Sequence, residues 1–391
     1  MKKRFLCLLT ALCLTLALVP AAFAEEAVMD ETAFRSAVAG GGTATMTGNV
    51  ALTSPLTIDQ AVVIDGTAAK YAITYEGADV NAVIIKTNSA VTLKNLTLNA
   101  TQSGGRGVML DTSKPNFTLT NSVLNADTRG IWVSQDDTEK GTRINVLNST
   151  IQNSRKPAAE NYETWSHYGD SRGISLWDMT AATVNIQNSH IYGFGYTINL
   201  SGNNNEKGVC SFGGTTVTVN NSDLFGWTAF NVWSSDTKFN ITNSHLRGIN
   251  LSTGSSDSFD TIVVNDDIYN QFDGATAEAC EFVISGGIID NHLPESTLDA
   301  AANGESVCIE GLFRIDKQGV TKATLKNDVH FIDQSNLLQA AFSAGNEPPT
   351  IEFYNYVYGL EEIKRINPES YTSTYADGGD LPLAVLPGGE Q

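Results

Sequence analysis

The sequence predicts an all-β fold: a single-stranded parallel β-helix, a solenoid of about 22 residues per coil with an Asn ladder and a short N-terminal capping helix. Three observations carry this prediction. A ten-residue phrase returns along the chain as "VNIQNSHIYG" (184–193), "VTVNNSDLFG" (217–226) and "FNITNSHLRG" (239–248). Each copy opens with apolar–polar–apolar alternation, the pattern of a strand with one buried face. Each then carries Asn at the point where the alternation breaks.

Residues 1–24 stand apart from the fold. "MKKR" is a basic start, "FLCLLTALCLTLALV" an apolar run, and "AFA" ending at Ala24 supplies small residues for cleavage. This reads as a secretory signal peptide, too short and wrongly flanked for a membrane span. No second long apolar run follows, so membrane insertion is not expected. Residues 25–42 form the N-terminal cap, because a stack of coils leaves raw strand edges at both ends. Within them "MDETAFRSAVAGGG" (29–42) predicts an amphipathic helix, with Asp30 as its cap, Phe34, Ala37 and Val38 turned inward, and a glycine stop.

The solenoid proper is expected over residues 43–290, with short strands of the first coils in 43–66. Position for position, the copies are "VTLKNLTL" (91–98), "FTLTNSVL" (117–124), "INVLNSTI" (144–151), "VNIQNSHI" (184–191), "VTVNNSDL" (217–224), "FNITNSHL" (239–246), "TIVVNDDI" (261–268) and "FVISGGII" (282–289). Longer separations mark insertions. The repeated residues are Asn95, Asn121, Asn148, Asn188, Asn221, Asn243 and Asn265, with Gly286 in the last copy. Asn and Gly share a tolerance of the left-handed backbone region that a sharp bend needs. Strands this short must stack on copies of themselves, at roughly 4.8 Å per rung, which superimposes the amides into a column.

A second strand follows each bend: "GVML" (107–110), "GIWV" (130–133), "GISLW" (173–177), "YTINL" (196–200), "AFNVW" (229–233) and "GINL" (248–251). Residues 291–391 read as terminal coils, a C-terminal cap and a loose Gly/Pro-rich tail, with a possible helix near "NLLQAAFSA". The coil length and the Asn column resemble the right-handed parallel β-helix proteins of the pectate-lyase-like superfamily. That resemblance implies the right-handed winding, in line with the general rule for parallel crossovers.

Removing Lys2, Lys3 and Arg4 with the signal leaves 21 basic against 43 acidic residues, a net charge of −22. Such a chain repels phosphate backbones, so nucleic acid is excluded as a partner. No cofactor is expected. Calcium would suit an exported acidic protein, but no calcium-loop motif occurs and no metal ligands are assigned. Cys7 and Cys13 leave with the signal; of the remaining Cys210, Cys280 and Cys308, Cys280–Cys308 is the favoured disulfide.

Function is sought on the outward face of the second strands and on the insertions, "QNSRKPAAENYETWSHYGDSR" (152–172) and "SGNNNEKGVCSFGGT" (201–215), expected side by side on one wall. With Ile131, Ile174, Ile198, Phe230 and Ile249 inward, one outward column holds Trp132, Ser175, Thr197, Asn231 and Asn250. The next holds Trp177, Asn199, Trp233 and Ser252, with Asn199 between the two tryptophans. Flat aromatic faces and amides suit a sugar chain. The expected carbohydrate-binding residues are therefore Trp132, Trp165, Tyr168, Trp177, Asn199, Asn231, Trp233 and Asn250. The same tryptophans would be buried if the insertions fold back. Arg106, Arg129 and Arg172 each precede the Gly of a second strand and would stack along one edge, where they meet uronate carboxylates or neutralise Asp127 and Asp170.

The densest titratable cluster is His167, Tyr168 and Asp170 beside Arg172 and Asp178. If the chain is an enzyme, His167, Arg172 and Asp178 are its candidate catalytic residues, for β-elimination from a uronate. The "WxDH" and "RxPxxR" signatures of pectate lyases are missing, as is the "NTDG", "DD", "GHG" set of polygalacturonase-like hydrolases. The leading expectation is a secreted, monomeric, non-catalytic protein that binds extracellular or cell-surface polysaccharide. The alternatives are a lyase or glycoside hydrolase acting on uronic-acid polymers, and an adhesin-like structural protein that contacts other surface proteins.

Overall fold

The computed structural model describes residues 27–133, 141–154, 171–177, 179, 181–201, 213–234, 236–249, 261–264 and 280–292. It also describes short strands at 307–309, 313–315, 322–325, 330–333 and 351–353. The expected signal peptide (1–24), the expected helix near 336–344 and the tail lie outside the described residues. The chain winds as a right-handed parallel β-helix. Among the described residues one 25-stranded sheet runs through the molecule, and every pairing given for it is parallel.

Each full coil contributes three short strands and therefore three walls. Coil 3 shows the unit: Ala90–Lys94 on the first wall, Thr97–Ala100 on the second and Arg106–Leu110 on the third. Coils 1 and 2 span 42–58 and 62–85, coil 4 spans 116–133, coil 5 143–177, coil 6 183–201 and coil 7 216–232. Coil 8 runs 238–264, coil 9 281–315 and coil 10 322–333.

The register superimposes apolar side chains into inward columns. On the first wall Val62, Val91, Phe117, Ile144, Val184, Val217, Phe239 and Phe282 succeed one another. All are 0–2% exposed. The Phe239 and Phe282 rings stack at 4.1 Å with planes 7° apart. On the third wall the inward column is Val83, Val108, Ile131, Ile174, Ile198, Phe230 and Ile262.

Helix α1 (Glu31–Ala39) closes the N-terminal end. The Asp30 side chain accepts the Ala33 N–H at 2.9 Å, as expected for its cap. Phe34 and Val38 are buried in the mouth of the solenoid, and Ala37 packs beside them, half-buried.

The bend between first and second walls carries the repeated Asn. Asn95, Asn121, Asn148, Asn188, Asn221 and Asn243 all sit at φ between 48° and 53°, and Gly286 at 65°. A left-handed residue turns its successor's N–H away from the regular ladder, and the neighbouring coil supplies a substitute acceptor. Ser122 N donates to Ser149 Oγ, Ser149 N to Ser189 Oγ, Ser189 N to Ser222 Oγ and Ser222 N to Ser244 Oγ, at 3.1–3.2 Å. Each of those hydroxyls in turn donates to a carbonyl two residues back, as Ser189 does to Gln187 O at 2.7 Å. The repeated "NS" pair is thus one device: Asn makes the bend and Ser satisfies the amide that the bend leaves over.

Two expected copies are corrected. "TIVVNDDI" is not a first-wall strand: Ile262, Val263 and Val264 pair with Phe230, Asn231 and Val232 on the third wall. Phe282 pairs directly with Phe239, so the place above Asn243 belongs to Gly286. At φ 65°, Gly286 makes the same left-handed bend as the asparagines below it. Asn265 lies outside the described residues. "GINL" likewise begins on the second wall, where Gly226 pairs with Gly248 and Gly248 with Asn291. Alternation cannot tell one wall from another, because every wall presents the same period. The buried Cys280 thiol donates to Ser234 O at 3.1 Å; the Cys210 and Cys308 side chains, and with them the expected Cys280–Cys308 bridge, lie outside the described residues.

Candidate binding face on the third wall

The third wall begins with the dipeptide "RG" in coils 3, 4 and 5. Glycine is needed there because successive backbones close in at the corner. A Cβ on Gly107 would lie 2.6 Å from Gly130 O, and one on Gly130 would lie 2.5 Å from Gly173 O. The preceding arginines are drawn into one file, in which Asn81, Arg106, Arg129, Arg172, Tyr196 and Thr228 occupy successive rungs. The expected arginine stack is therefore present. At roughly 4.8 Å per rung it places three guanidinium-bearing side chains over about 10 Å.

Two tryptophans lie against these arginines. The guanidinium carbons of Arg106 and Arg129 are each 5.0 Å from the Trp132 ring centroid, within cation–π range. The Trp132 indole N–H donates to Asn81 Oδ1 at 3.2 Å, which anchors the ring two coils down. Arg172 stands 5.6 Å from the centroid of Trp177, and its Nη1 donates to Ser175 Oγ at 3.4 Å. Trp132, Trp177, Arg106, Arg129 and Arg172 are all half-buried, so part of each side chain faces solvent.

The outward columns differ from the expected ones by a shift of partners. Met109, Trp132, Ser175, Asn199, Asn231 and Val263 form a single file. Asn199 thus follows Ser175 rather than separating Trp177 from Trp233. Trp177 pairs with Ser201, and Trp233, one residue past the Leu200–Val232 pair, continues the file of Ser201. Thr197 is not outward: it is 0% exposed, at the corner position that glycine fills in the coils below. Val263 takes the rung above Asn231 that was expected for Asn250, which lies outside the described residues.

Ser175, Asn199 and Asn231 are buried, 1–5% exposed. Asn231 Nδ2 donates to Asn199 Oδ1 at 2.8 Å, Asn199 Nδ2 donates to Ser175 Oγ and Ser201 Oγ, and Trp233 Nε1 donates to Asn231 Oδ1 at 3.2 Å. These amides bind one another in this structure. The lower part of the face, in coils 3–5, carries half-buried arginines and tryptophans in place of the buried amides.

The insertions do not leave from one edge. The chain departs after Ser154 and returns at Ser171, between second and third walls of coil 5; it departs again after Ser201 and returns at Gly213, between third and first walls. The two insertions thus leave from opposite edges of the third wall. Trp165, His167, Tyr168, Asp170 and Asp178 lie outside the described residues, so of the expected catalytic set the structure describes Arg172 alone.

A second titratable group was not foreseen. On the second wall His190 Nδ1 meets Asp223 Oδ2 at 2.7 Å, and this hydrogen bond raises the imidazole pKa above its ordinary value. Buried Asp290 receives both His245 Nε2 and Arg247 Nε at 2.8 Å. The signal was available in the repeat itself: "NSH", "NSD" and "NSH" put His190, Asp223 and His245 at one repeat position. Among the described residues no three His, Cys, Asp or Glu side chains converge as a metal site.

Comparison with known protein families, curated proteins and solved structures finds no match.

Proposed function

We propose that this is an exported, non-catalytic polysaccharide-binding β-helix of the pectate-lyase-like kind, and that its binding face is the third wall of coils 3–5. The single observation that supports the reading is the file of Arg106, Arg129 and Arg172 beside Trp132 and Trp177. Guanidinium held near an indole keeps its N–H edges aligned for bidentate contact with a carboxylate or sulfate. A linear acidic glycan lying along the solenoid axis would meet one arginine per rung. The net charge of −22 that remains without Lys2, Lys3 and Arg4 repels polyanions elsewhere, which confines them to this strip.

Affinity electrophoresis against neutral, uronic-acid and sulfated polymers tests the reading. Binding to acidic polymers is expected, weakened about tenfold or more by Arg129→Ala and by Trp132→Ala, and falling with added salt. Absence of retardation by every polymer contradicts it. Appearance of unsaturated uronate products, lost in His167→Ala, would replace binding by lyase chemistry.

A further inference from the structure

Among the described residues four amide-bearing columns climb the solenoid, and in each the amide hydrogen bonds that cross from one coil to the next donate toward the N-terminal cap. In the bend column Asn121 Nδ2 donates to Asn95 Oδ1 at 2.5 Å, and Asn95 Nδ2 to Asp65 Oδ1 at 3.0 Å. Higher up, Asn221 donates to Asn188 and Asn188 to Asn148. On the first wall Asn185 donates to Asn145, and Asn145 to Thr118 Oγ1. On the second wall the sequence runs from Tyr192 Oη to Gln152, Asn125, Asn99 and finally Thr74 Oγ1. On the third wall it runs from Trp233 through Asn231 and Asn199 to Ser175.

A carboxamide offers a donor on one side and an acceptor on the other, so a stack of amides alone can run in either direction. End groups remove the choice. An ionised carboxylate only accepts, and an indole N–H only donates. Asp65 stands at the bottom of the bend column and Trp233 at the top of the third-wall column, each in the place that agrees with the observed direction.

We propose that Asp65 is the polarity anchor of the bend column: because its carboxylate can only accept, Asn95 must turn its NH2 down, and Asn121 must follow. The groups facing that carboxylate are few. Lys94 Nζ lies 3.2 Å away, the Thr67 N–H donates at 2.8 Å, Asn95 sits above, and neutral Thr45 pairs with Asp65 from coil 1. Burial opposes the charge, but the hydrogen bonds from Asn95, Thr67 and Lys94 outweigh it and hold the carboxyl below its ordinary pKa. A carboxyl lowered in the native state stabilises the fold above the ordinary carboxylate range and loses that contribution as pH falls through its native value. Protonation adds a donor to Asp65 and lets Asn95 and Asn121 invert.

Asparagine-selective 15N labelling of the full chain tests this through side-chain amide exchange. At neutral pH the NH2 groups of Asn95 and Asn121 are expected to be protected. As pH falls below the carboxylate range, their protection relative to Asn125 and Asn185 drops about tenfold, the size of one charge-assisted hydrogen bond. Asp65→Asn reproduces the low-pH state at pH 7 and abolishes the pH dependence, while Lys94→Gln leaves the amides protected. Protection that tracks Asn125 and Asn185 at every pH overturns the proposal. So does a Lys94→Gln effect equal to that of Asp65→Asn, which would make the ion pair the determinant.

Discussion

Asn188 does two things at once, and substitution separates them. Its φ of 48° is a conformation that costs an L-residue with a Cβ about 1–2 kcal/mol, less for Asn and nothing for Gly. Its side chain donates to Asn148 at 3.1 Å and accepts from Asn221 at 2.8 Å. Asn188→Gly loses only the ladder contacts, each worth about 1 kcal/mol or less at this exposed site. Asn188→Ala loses both, and urea midpoints should rank the native protein above Asn188→Gly and Asn188→Gly above Asn188→Ala. An alanine variant as stable as the glycine one would mean that the bend does not select the residue. The Asn was legible in the sequence because its demand is local, a matter of one residue's own backbone. The adjoining Ser was equally repeated, but its reason lies in a coil 22–40 residues away, as between Ser149 and Ser189. No local rule points to it.

At the scale of the element, the third wall depends on corners that admit no side chain. Alanine at Gly130 would bring a Cβ to 2.5 Å from Gly173 O and from Ile151 Cγ2. One of these neighbours is backbone and cannot swing aside, so Gly130→Ala should cost about 1–3 kcal/mol or more. It should also disturb Trp132, two residues on, read as a shift in tryptophan emission together with a lowered unfolding midpoint. Unchanged emission and midpoint would show that the coils are not packed this closely. The same corner explains the misplaced columns. Period-two alternation puts both neighbours of Ile198 outside, yet Thr197 occupies the corner and is buried. Only Asn199 continues the outward file. Alternation reports faces; it does not report where a strand turns the corner. The arginine file was readable because "RG" marks both the residue and its corner, whereas the His190–Asp223 pair straddles two coils and emerges only from the register.

At the scale of the molecule, repeats of unequal length are reconciled by a constant coil. Thr118, Asn145, Asn185 and Thr218 are separated by 27, 40 and 33 residues, yet they occupy consecutive rungs of the first wall. Insertions are expelled at the wall edges, so they lengthen the chain without lengthening the stack. The period was legible for that reason, while the wall on which a short apolar run such as 262–264 belongs was not. The binding face inherits its geometry from this stacking, since three arginines distant in sequence share a file only if every rung is in register. Paired cysteines measure that register directly. Neighbouring strands bring Cα atoms to roughly 4.8 Å, inside the span a disulfide bridges. Oxidation should therefore close Thr118→Cys with Asn145→Cys, Asn145→Cys with Asn185→Cys, and Asn185→Cys with Thr218→Cys at comparable rates, mapped by peptide mass. Thr118→Cys with Asn185→Cys, two rungs apart, should stay open. Closure of the two-rung pair, or failure of the one-rung pairs, would contradict the stacked coil and the binding face built on it.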